Sequence, residues 1–569
     1  MYKKCYATRL GNNKYKIHLW DEGGYDEIEW HNYAYQECSK EDANFKGLGN
    51  EPLRKVYKWD KNTPNLHFHD MKPHQKYLVE RYGVDDAPST GHRELFFDIE
   101  CEIGGALTEE YIERAPMPIT SIAWWDKTPD TWHILILDKK NQLKHTKART
   151  KEIIPCSTEQ ELLARFLEHF REIDPDILIG YNSDFFDIPY LYYRMCNVLG
   201  QEWVDQLSPL NQVNAKKNNQ YFFKRNQFVD IIGVESLDYM RLHKKYSWKD
   251  EPSWKLDAIG EKYAGVNKVD YDGNLDQLFE TDINKFIQYN FRDVEILKLL
   301  DEKLQYIALT KNLSHKGNHN YSEVYSNSIT QDGAISAYLL SNNIIPPPRD
   351  PNPKSKKGYA GGFLFCPKAG LYKYMFDEDL TSLYPSIIMS LNIGKETFQG
   401  RIIDHDDRNN RLGLIDLKAM DPKRKLLLEN NRGVQTHIEA ERIINAVESG
   451  GYSMSANGCI FDTKVESTLS TVLNKWFKER VIYKNKMKES FKMGNKAKGE
   501  YYHLMQYTMK ILLNSLYGAT ALPSFRYGMN YSILSEAITL TGHRIIQESA
   551  LCANRHMNKV IRNEIKLKI

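Results

Sequence analysis

Along the 569 residues the apolar positions change period several times, and each change marks an element. Residues 15–20 alternate apolar with polar and end in Asp21-Glu22-Gly23-Gly24, a strand-and-turn pattern within a β-rich stretch reaching to about residue 93. Residues 94–100 alternate again, with Leu95, Phe97 and Ile99 on one face and Phe96, Asp98 and Glu100 on the other. Thr158 and Glu161 then form a capping-box pattern, and Leu162, Leu163, Phe166, Leu167 and Phe170 recur at helical spacing. Pro175 closes that helix region, and Ile177-Leu178-Ile179 reads as a short buried strand. Ile283, Phe286, Ile287, Val294 and Leu297 form the core stripe of another helix, whose periodicity fades after Leu300. A helix opens at residues 327–334, and the proline-rich stretch 345–353 is a linker. Leu371, Tyr372, Tyr374, Met375 and Phe376 predict a buried strand that ends in Asp377, Glu378 and Asp379. A bend at Pro385 and a helix follow, with Thr381 and Ser382 placed to cap it. Two long helical patterns meet at Met493-Gly494-Asn495, as in an αα-hairpin. Leu534, Ile538, Ile545 and Ile546 mark the last helix.

Composition changes this picture little. The length calls for several domains. The net charge of +2 predicts no partner by itself, so a nucleic-acid surface has to be local. One such surface is residues 475–500, where nine Lys or Arg face three Glu, a local charge of +6. The eight cysteines are scattered with no Cys-x-x-Cys, which argues against a zinc site and fits a reducing, cytoplasmic setting. No apolar run follows the N-terminus, and none approaches the ~20 residues of a membrane span.

The chemistry concentrates in carboxylates. Asp98 and Glu100 on one face of an apolar strand are costly unless a cation compensates them, and hard divalent ions such as Mg²⁺ or Mn²⁺ suit oxygen ligands. A solvated sheet edge is the alternative for these two acids alone. Asn182 and Asp187 fall just beyond the strand at 177–179, where sites gather in open α/β sheets; taken singly, Asp187 fits a plain helix cap better. Tyr289 and Asp293 are i and i+4 on one helix face. In order and spacing these three pieces resemble the Exo I, Exo II and Exo III motifs of DnaQ-like 3′→5′ exonucleases. The resemblance implies that Asp98, Glu100, Asp187 and Asp293 hold two metal ions and that Tyr289 positions the attacking water. Between the second and third pieces, residues 214–225 are basic and aromatic, suited either to stacking unpaired bases or to a solvated loop.

The second half carries further motifs of this kind. Asp379-Leu380-Thr381-Ser382-Leu383-Tyr384-Pro385 resembles motif A of family B DNA polymerases, and Tyr359-Ala360-Gly361-Gly362 resembles their Y-x-G-G element. Lys510-Ile511-Leu512-Leu513-Asn514-Ser515-Leu516-Tyr517-Gly518 resembles motif B on the second helix of the fingers. The short fingers and the motif A sequence look most like the polymerases of T-even-type bacteriophages. By this resemblance Asp379 is a metal ligand of the polymerase centre. Leu383 and Tyr384 floor the nucleotide pocket, with Tyr384 excluding a ribose 2′-hydroxyl. Arg480, Lys484 and Lys510 grip the triphosphate, and Asn514 assists. Asn182, Tyr359, Gly361, Gly362, Tyr517 and Gly518 are DNA-contacting positions.

The expected fold is therefore multidomain, α/β and α+β: an RNase H-like exonuclease domain, a partial palm with an antiparallel sheet, and a two-helix fingers hairpin. The expected boundaries are an N-terminal β-rich domain at 1–93 with 307–345 returning to it, an exonuclease domain at 94–306, palm at 346–466, fingers at 467–521 and a second palm segment at 522–569. Motif C of the family, Tyr-Gly-Asp-Thr-Asp-Ser, does not occur in the sequence. The expectation is an N-terminal portion of a split or truncated polymerase. It would take Mg²⁺ or Mn²⁺, two ions per centre, and act on primer-template DNA and dNTPs. A second chain carrying motif C and the thumb would complete it, with a sliding clamp reached through that chain. The alternative is a non-catalytic DNA-binding or assembly subunit of a replication complex.

Overall fold

A computed structural model of the chain describes residues 1–566 apart from 61, 86, 103, 218–226, 248–249, 354–357, 365–368, 372–378, 404–411 and 523. The chain forms two compact units, each discontinuous in sequence. One comprises Met1–Asn32 and Lys72–Ser326, the other Tyr33–Met71 and Asn327–Ile569.

The first unit is built on a seven-stranded mixed sheet. Its strand order is Thr146–Lys147, Lys151–Cys156, Thr131–Leu137, Ile119–Asp126, Glu94–Cys101, Ile177–Gly180 and Glu235–Asp238. The interior strand Glu94–Cys101 pairs antiparallel with Ile119–Asp126 and parallel with Ile177–Gly180. Leu95, Phe96, Phe97 and Ile99 are all buried, so both faces of this strand are covered. The helix Glu159–Ile173 packs on the neighbouring strands Ile119–Asp126 and Thr131–Leu137 through the stripe the sequence predicts, and its Thr158 hydroxyl accepts the Glu161 N–H at 3.2 Å. The carboxylate of Glu161 turns back to Ser157 instead, accepting its N–H at 2.9 Å. The antiparallel strands Tyr2–Gly11, Lys14–Asp21 and Gly24–His31 form a separate sheet in this unit, as the turn at residues 21–24 predicts. Helical structure does not fade after Leu300. The helix Ile283–Leu304 breaks only at Gln305, whose φ is 54°, and Tyr306–Gly317 continues as a new helix. Buried polar residues, Thr310, Asn312, Ser314 and His315, explain the weak periodicity of that second helix, and Tyr2 is buried against its end. The Tyr2 phenol donates to the Ser314 and His319 carbonyls at 2.9 and 2.8 Å.

In the second unit the short strand Ile344–Ile345 pairs parallel with Phe45–Gly47, adding a fifth strand to a sheet made otherwise from residues 34–67. The linker that follows is tied down. Arg349 donates its N–H to Asp70 at 2.6 Å and its guanidinium to Asp332. Arg526, fully buried, donates to Asp332 and Asp70 at 2.7 Å each and to the Pro347 carbonyl at 2.6 Å. A five-stranded antiparallel sheet from Phe398–Ile402 to Cys459–Asp462 encloses its own core of Ile402, Leu412, Leu417, Leu426 and Ile443. The helices Thr468–Lys492 and Lys496–Thr520 form the predicted hairpin, with Gly494 at φ 73° in the turn. Its root is fixed to the helix Leu383–Ser390. There Ser467 accepts the Ser470 N–H at 3.1 Å, and Ser470 donates to the Ile388 carbonyl at 3.0 Å. The expected cap of Leu383–Ser390 is absent. Ser382 sits at the N-cap position in a left-handed conformation (φ 53°) and makes no side-chain cap bond. The strand expected at 371–379 falls largely on residues 372–378, outside the described residues.

Candidate functional sites

The strand Glu94–Cys101 presents Asp98 and Glu100 side by side, and the helix Ile283–Leu304 brings Asp293 to them. Ligand atoms of these three carboxylates all lie within 4.8 Å of one another. The register of the strand slips between Glu100 and Cys101, a bulge of the kind that re-aims side chains beside sites. Asp187 opens the helix Asp187–Val198 and borders the cluster. Its Oδ1 accepts the Ile99 N–H at 3.3 Å, so it does not serve as the helix cap. That turn requires Gly180, because a Cβ there would stand 2.5 Å from the Ser183 side chain and 3.2 Å from the Phe97 ring. Asn182 follows in the left-handed conformation that Asn tolerates, its N–H donating to Asp238 at 3.1 Å.

Burial and mutual repulsion dominate the electrostatics. Burial, with the Asp293 carboxylate beside it, pushes Glu100 up to about 8. Burial raises Asp187 to about 7. It raises Asp293 to about 6, with the Lys268 ammonium pulling the other way. Asp98 is pushed well above the ordinary range by burial and then by Asp293 and Asp187. Asp293 Oδ1 is buried without a hydrogen-bond partner among the described residues. A converging set of oxygen donors, desolvated and under-compensated, with one orphaned carboxylate oxygen, fits a hard divalent cation.

Two residues that the sequence reading missed complete the surroundings. Lys268 pairs with Asp293 and donates to the Tyr289 hydroxyl at 3.0 Å. Asn290, fully buried, donates to Asp98 Oδ2 at 2.7 Å while its own oxygen accepts from Ser121 Oγ at 2.8 Å. Asn290 was discoverable, since it is i−3 to Asp293 on the same helix. Lys268 lies in an irregular loop and carries no pattern. The basic-aromatic stretch 214–225 falls mostly outside the described residues.

In the second unit the structure gathers a different set. The rings of Tyr384 and Tyr517 are 4.5 Å apart, and Tyr359 lies beside both. A Cβ on Gly362 would stand 3.5 Å from the Tyr384 hydroxyl. The Gly361 carbonyl contacts His543 Nε2 at 2.6 Å, fixing the Y-x-G-G segment to the helix Ile533–Lys566. Leu383 is half-buried beside Gly542, where an added Cβ would meet its side chain at 3.7 Å and that of Tyr384 at 3.2 Å. Gly518 is exposed, with open space around it. Arg480 and Lys484 stand one turn apart on the first hairpin helix. Arg480 Nε is buried without a partner among the described residues, and burial lowers its pKa. Lys510, near the Tyr507 ring at 5.9 Å, and Asn514 stand one turn apart on the second. Asp379 is exposed, and no hydrogen bond or ion pair among the described residues joins it to Arg480 or Lys484.

The mixed sheet with its buried carboxylates and the second unit with its helical hairpin together define a multidomain α/β protein whose parts match two domains of one family. Residues 54–259 match the exonuclease domain of DNA polymerase family B, and residues 324–568 match DNA polymerase family B itself. The chain belongs to DNA polymerase family B. It is 28% identical to the DNA-directed DNA polymerase of Escherichia phage RB69, over 99% of this chain and 68% of that protein. It is also 28% identical to the DNA-directed DNA polymerase of Enterobacteria phage T4, over 72% of this chain and 47% of that one. DNA polymerase 1 of Sulfolobus acidocaldarius is 26% identical over 79% of this chain and 46% of its own length. The chain thus spans about two thirds of the first of these relatives and about half of the other two. Tyr289 and Asp293 lie between the two matched regions. No described helix is long and apolar enough to cross a membrane.

Proposed function

We infer that this chain is the exonuclease-bearing portion of a DNA-directed DNA polymerase, and that its first unit removes nucleotides from DNA 3′ ends. The observation that carries the reading is the convergence of half-buried Asp98 and Glu100 on buried Asp293, with buried Asp187 at the edge. Asp98, Glu100, Asp187 and Asp293 would hold Mg²⁺ or Mn²⁺ there, two ions when DNA is bound. Such ions activate water and stabilise the leaving oxygen of a phosphodiester. The chain's own groups prepare the site. Asn290 holds one oxygen of Asp98, and Lys268 keeps Asp293 ionised and orients the Tyr289 hydroxyl toward the cluster. Tyr289 would align the attacking water. DNA labelled at its 5′ end should shorten from the 3′ end when Mg²⁺ or Mn²⁺ is added. Replacing Asp98 and Glu100 by Ala should stop this. Unchanged digestion by that double variant would remove the assignment.

For the second unit we infer nucleotide transfer onto primer-template DNA. Asp379 would be one metal ligand, and Leu383, Tyr384, Arg480, Lys484, Lys510 and Asn514 would hold the dNTP. Tyr359, Gly361, Gly362, Tyr517 and Gly518 would contact DNA, as would Asn182 in the first unit. The packing of Tyr359, Tyr384 and Tyr517 supports a shared pocket wall. A second carboxylate, from polypeptide outside these 569 residues, is needed for this step. A second chain with motif C and the thumb, and a clamp reached through it, follow from the same reading. The phage relatives favour action in the cytoplasm of an infected host. Primer extension with the exonuclease acids replaced tests this. Extension by these residues alone would contradict the need for a second carboxylate.

A further inference from the structure

The first hairpin helix carries cations beyond those assigned to the triphosphate. Arg480, Lys484, Lys488 and Lys492 recur at every fourth residue of Thr468–Lys492, and Lys496 continues the interval at the start of the next helix. Four residues advance a helix by about 6 Å and turn it about 40° beyond a full circle, so Lys488 and Lys492 stand about 40° apart while the run from Arg480 to Lys492 winds about 120° round the helix. Lys484, Lys488 and Lys492 are exposed and form no ion pair among the described residues. Glu489 is the only acid between Lys484 and Lys492 in sequence, and it pairs with neither Lys488 nor Lys492. Lys496 reaches Glu500 only loosely, at 3.7 Å, and is itself 84% exposed. Like charges at i and i+4 weaken a helix, so the repetition is unfavourable until an anion neutralises it.

Length decides what that anion is. From Arg480 to Lys492 the ladder runs about 18 Å along the axis. Three phosphates joined by shared oxygens are far shorter than this, so a nucleotide occupies at most the first rungs. A rung spacing of about 6 Å suits successive phosphates of an extended single strand. We propose that Lys488 and Lys492, with Lys496, form a track for the phosphate backbone of single-stranded DNA on the outer half of the helical hairpin. The track does not depend on the roles assigned to Arg480 and Lys484, and it is distinct from the acid cluster of the first unit.

The test is binding of a fluorescent thymidine homopolymer, long enough to span the hairpin, to the full chain in EDTA across a salt series. Replacing both lysines, as Lys488→Gln with Lys492→Gln, should weaken binding and reduce the log–log salt slope by about 1.4, or about 0.7 for each lost phosphate contact. The pair Lys488→Arg with Lys492→Arg should bind like the unaltered chain. Thermal unfolding of the Gln pair should be unchanged or raised, because repulsion is relieved. Equal slope and affinity in the Gln pair would overturn the proposal. So would equal loss in the Arg pair, since charge would then not be the cause. Digestion of a trinucleotide, too short for the track, keeps this separate from the exonuclease reading. It should be the same with and without the Gln substitutions, and its absence in the unaltered chain would count against the exonuclease alone.

Discussion

Each unit buries a cluster of charge, and the two clusters are balanced differently. In the second unit Arg526 and Arg349 meet Asp70 and Asp332, two cations against two anions, with direct hydrogen bonds between them. In the first unit Asp98, Glu100, Asp187 and Asp293 face one ammonium, that of Lys268, and keep a carboxylate oxygen unpartnered. Fully ionised, the cluster of the second unit sums to zero and that of the first unit to −3. Removing one member of a balanced buried set is destabilising, because it strands the others. An unbalanced set is already at that disadvantage. Its acids rise toward neutral pH to escape it. The balanced cluster is scaffold, whereas the unbalanced one has the charge that the proposed cation site requires. Asp379 shows a third condition: it is exposed and carries no comparable desolvation.

The largest expected effect is on catalysis. Asp98→Ala with Glu100→Ala should reduce 3′→5′ digestion by more than the about 10–100-fold typical of outer-shell changes, whereas Asp379→Ala should leave it intact. Steady-state rates on single-stranded DNA check both, and equal losses would erase the distinction between the sites. Next, Arg526→Met should cost about 3–5 kcal/mol in denaturant unfolding, as expected when one partner of a buried ionic set is removed. A loss near zero would mean that the second unit does not depend on its balance. Asn290→Ala should slow digestion by about 10–100-fold, with the deficit shrinking as Mn²⁺ is raised. A deficit that metal cannot reduce would place Asn290 outside the ligand sphere.

Much of this was legible because it is local. The alternation at residues 94–100 fixes which face carries Asp98 and Glu100, and period-3.6 patterning gives the stripe that carries Tyr289 and Asp293. The turn Met493-Gly494-Asn495 between two long helical patterns gives the hairpin. The parts that were not legible depend on distant pairing. Asp70 and Arg526 are 456 positions apart, and nothing in either neighbourhood announces the other. The helix Tyr306–Gly317 was hidden because Thr310, Asn312, Ser314 and His315 are buried there among polar partners. Ser382 has the residue type of a cap but a backbone that turns its hydroxyl away, which composition cannot reveal.

A smaller effect sharpens the meaning of balance within the first unit. Burial pushes the Glu94 carboxyl up, but Lys311 and Lys127, each 2.6 Å away, more than offset it and hold the group down at about 2. Its contribution is therefore complete above the unfolded value of 4.5 and is lost as pH falls toward about 2. Lys311→Met should cost about 1–3 kcal/mol at pH 7 and progressively less in acid. Urea unfolding at both pH values checks it, and a loss independent of pH would point to packing rather than charge.

The exonuclease acids should give the opposite pH dependence, which makes thermal unfolding of the chain against pH, in EDTA and in Mn²⁺, the most direct test. Glu100 rises from 4.5 to about 8, Asp187 from 3.8 to about 7 and Asp293 from 3.8 to about 6. Folded values raised above unfolded ones mean that stability is full below pH 3.8–4.5 and is lost as pH climbs through 6–8. In EDTA the midpoint should fall across that window. Mn²⁺ at a hundredfold excess over its Kd should restore about 2.7 kcal/mol, and the variant lacking Asp98 and Glu100 should show a smaller fall, carried by Asp187 and Asp293, and no rescue. A midpoint that ignores the metal throughout this range would contradict the assignment of the buried acids as a cation site.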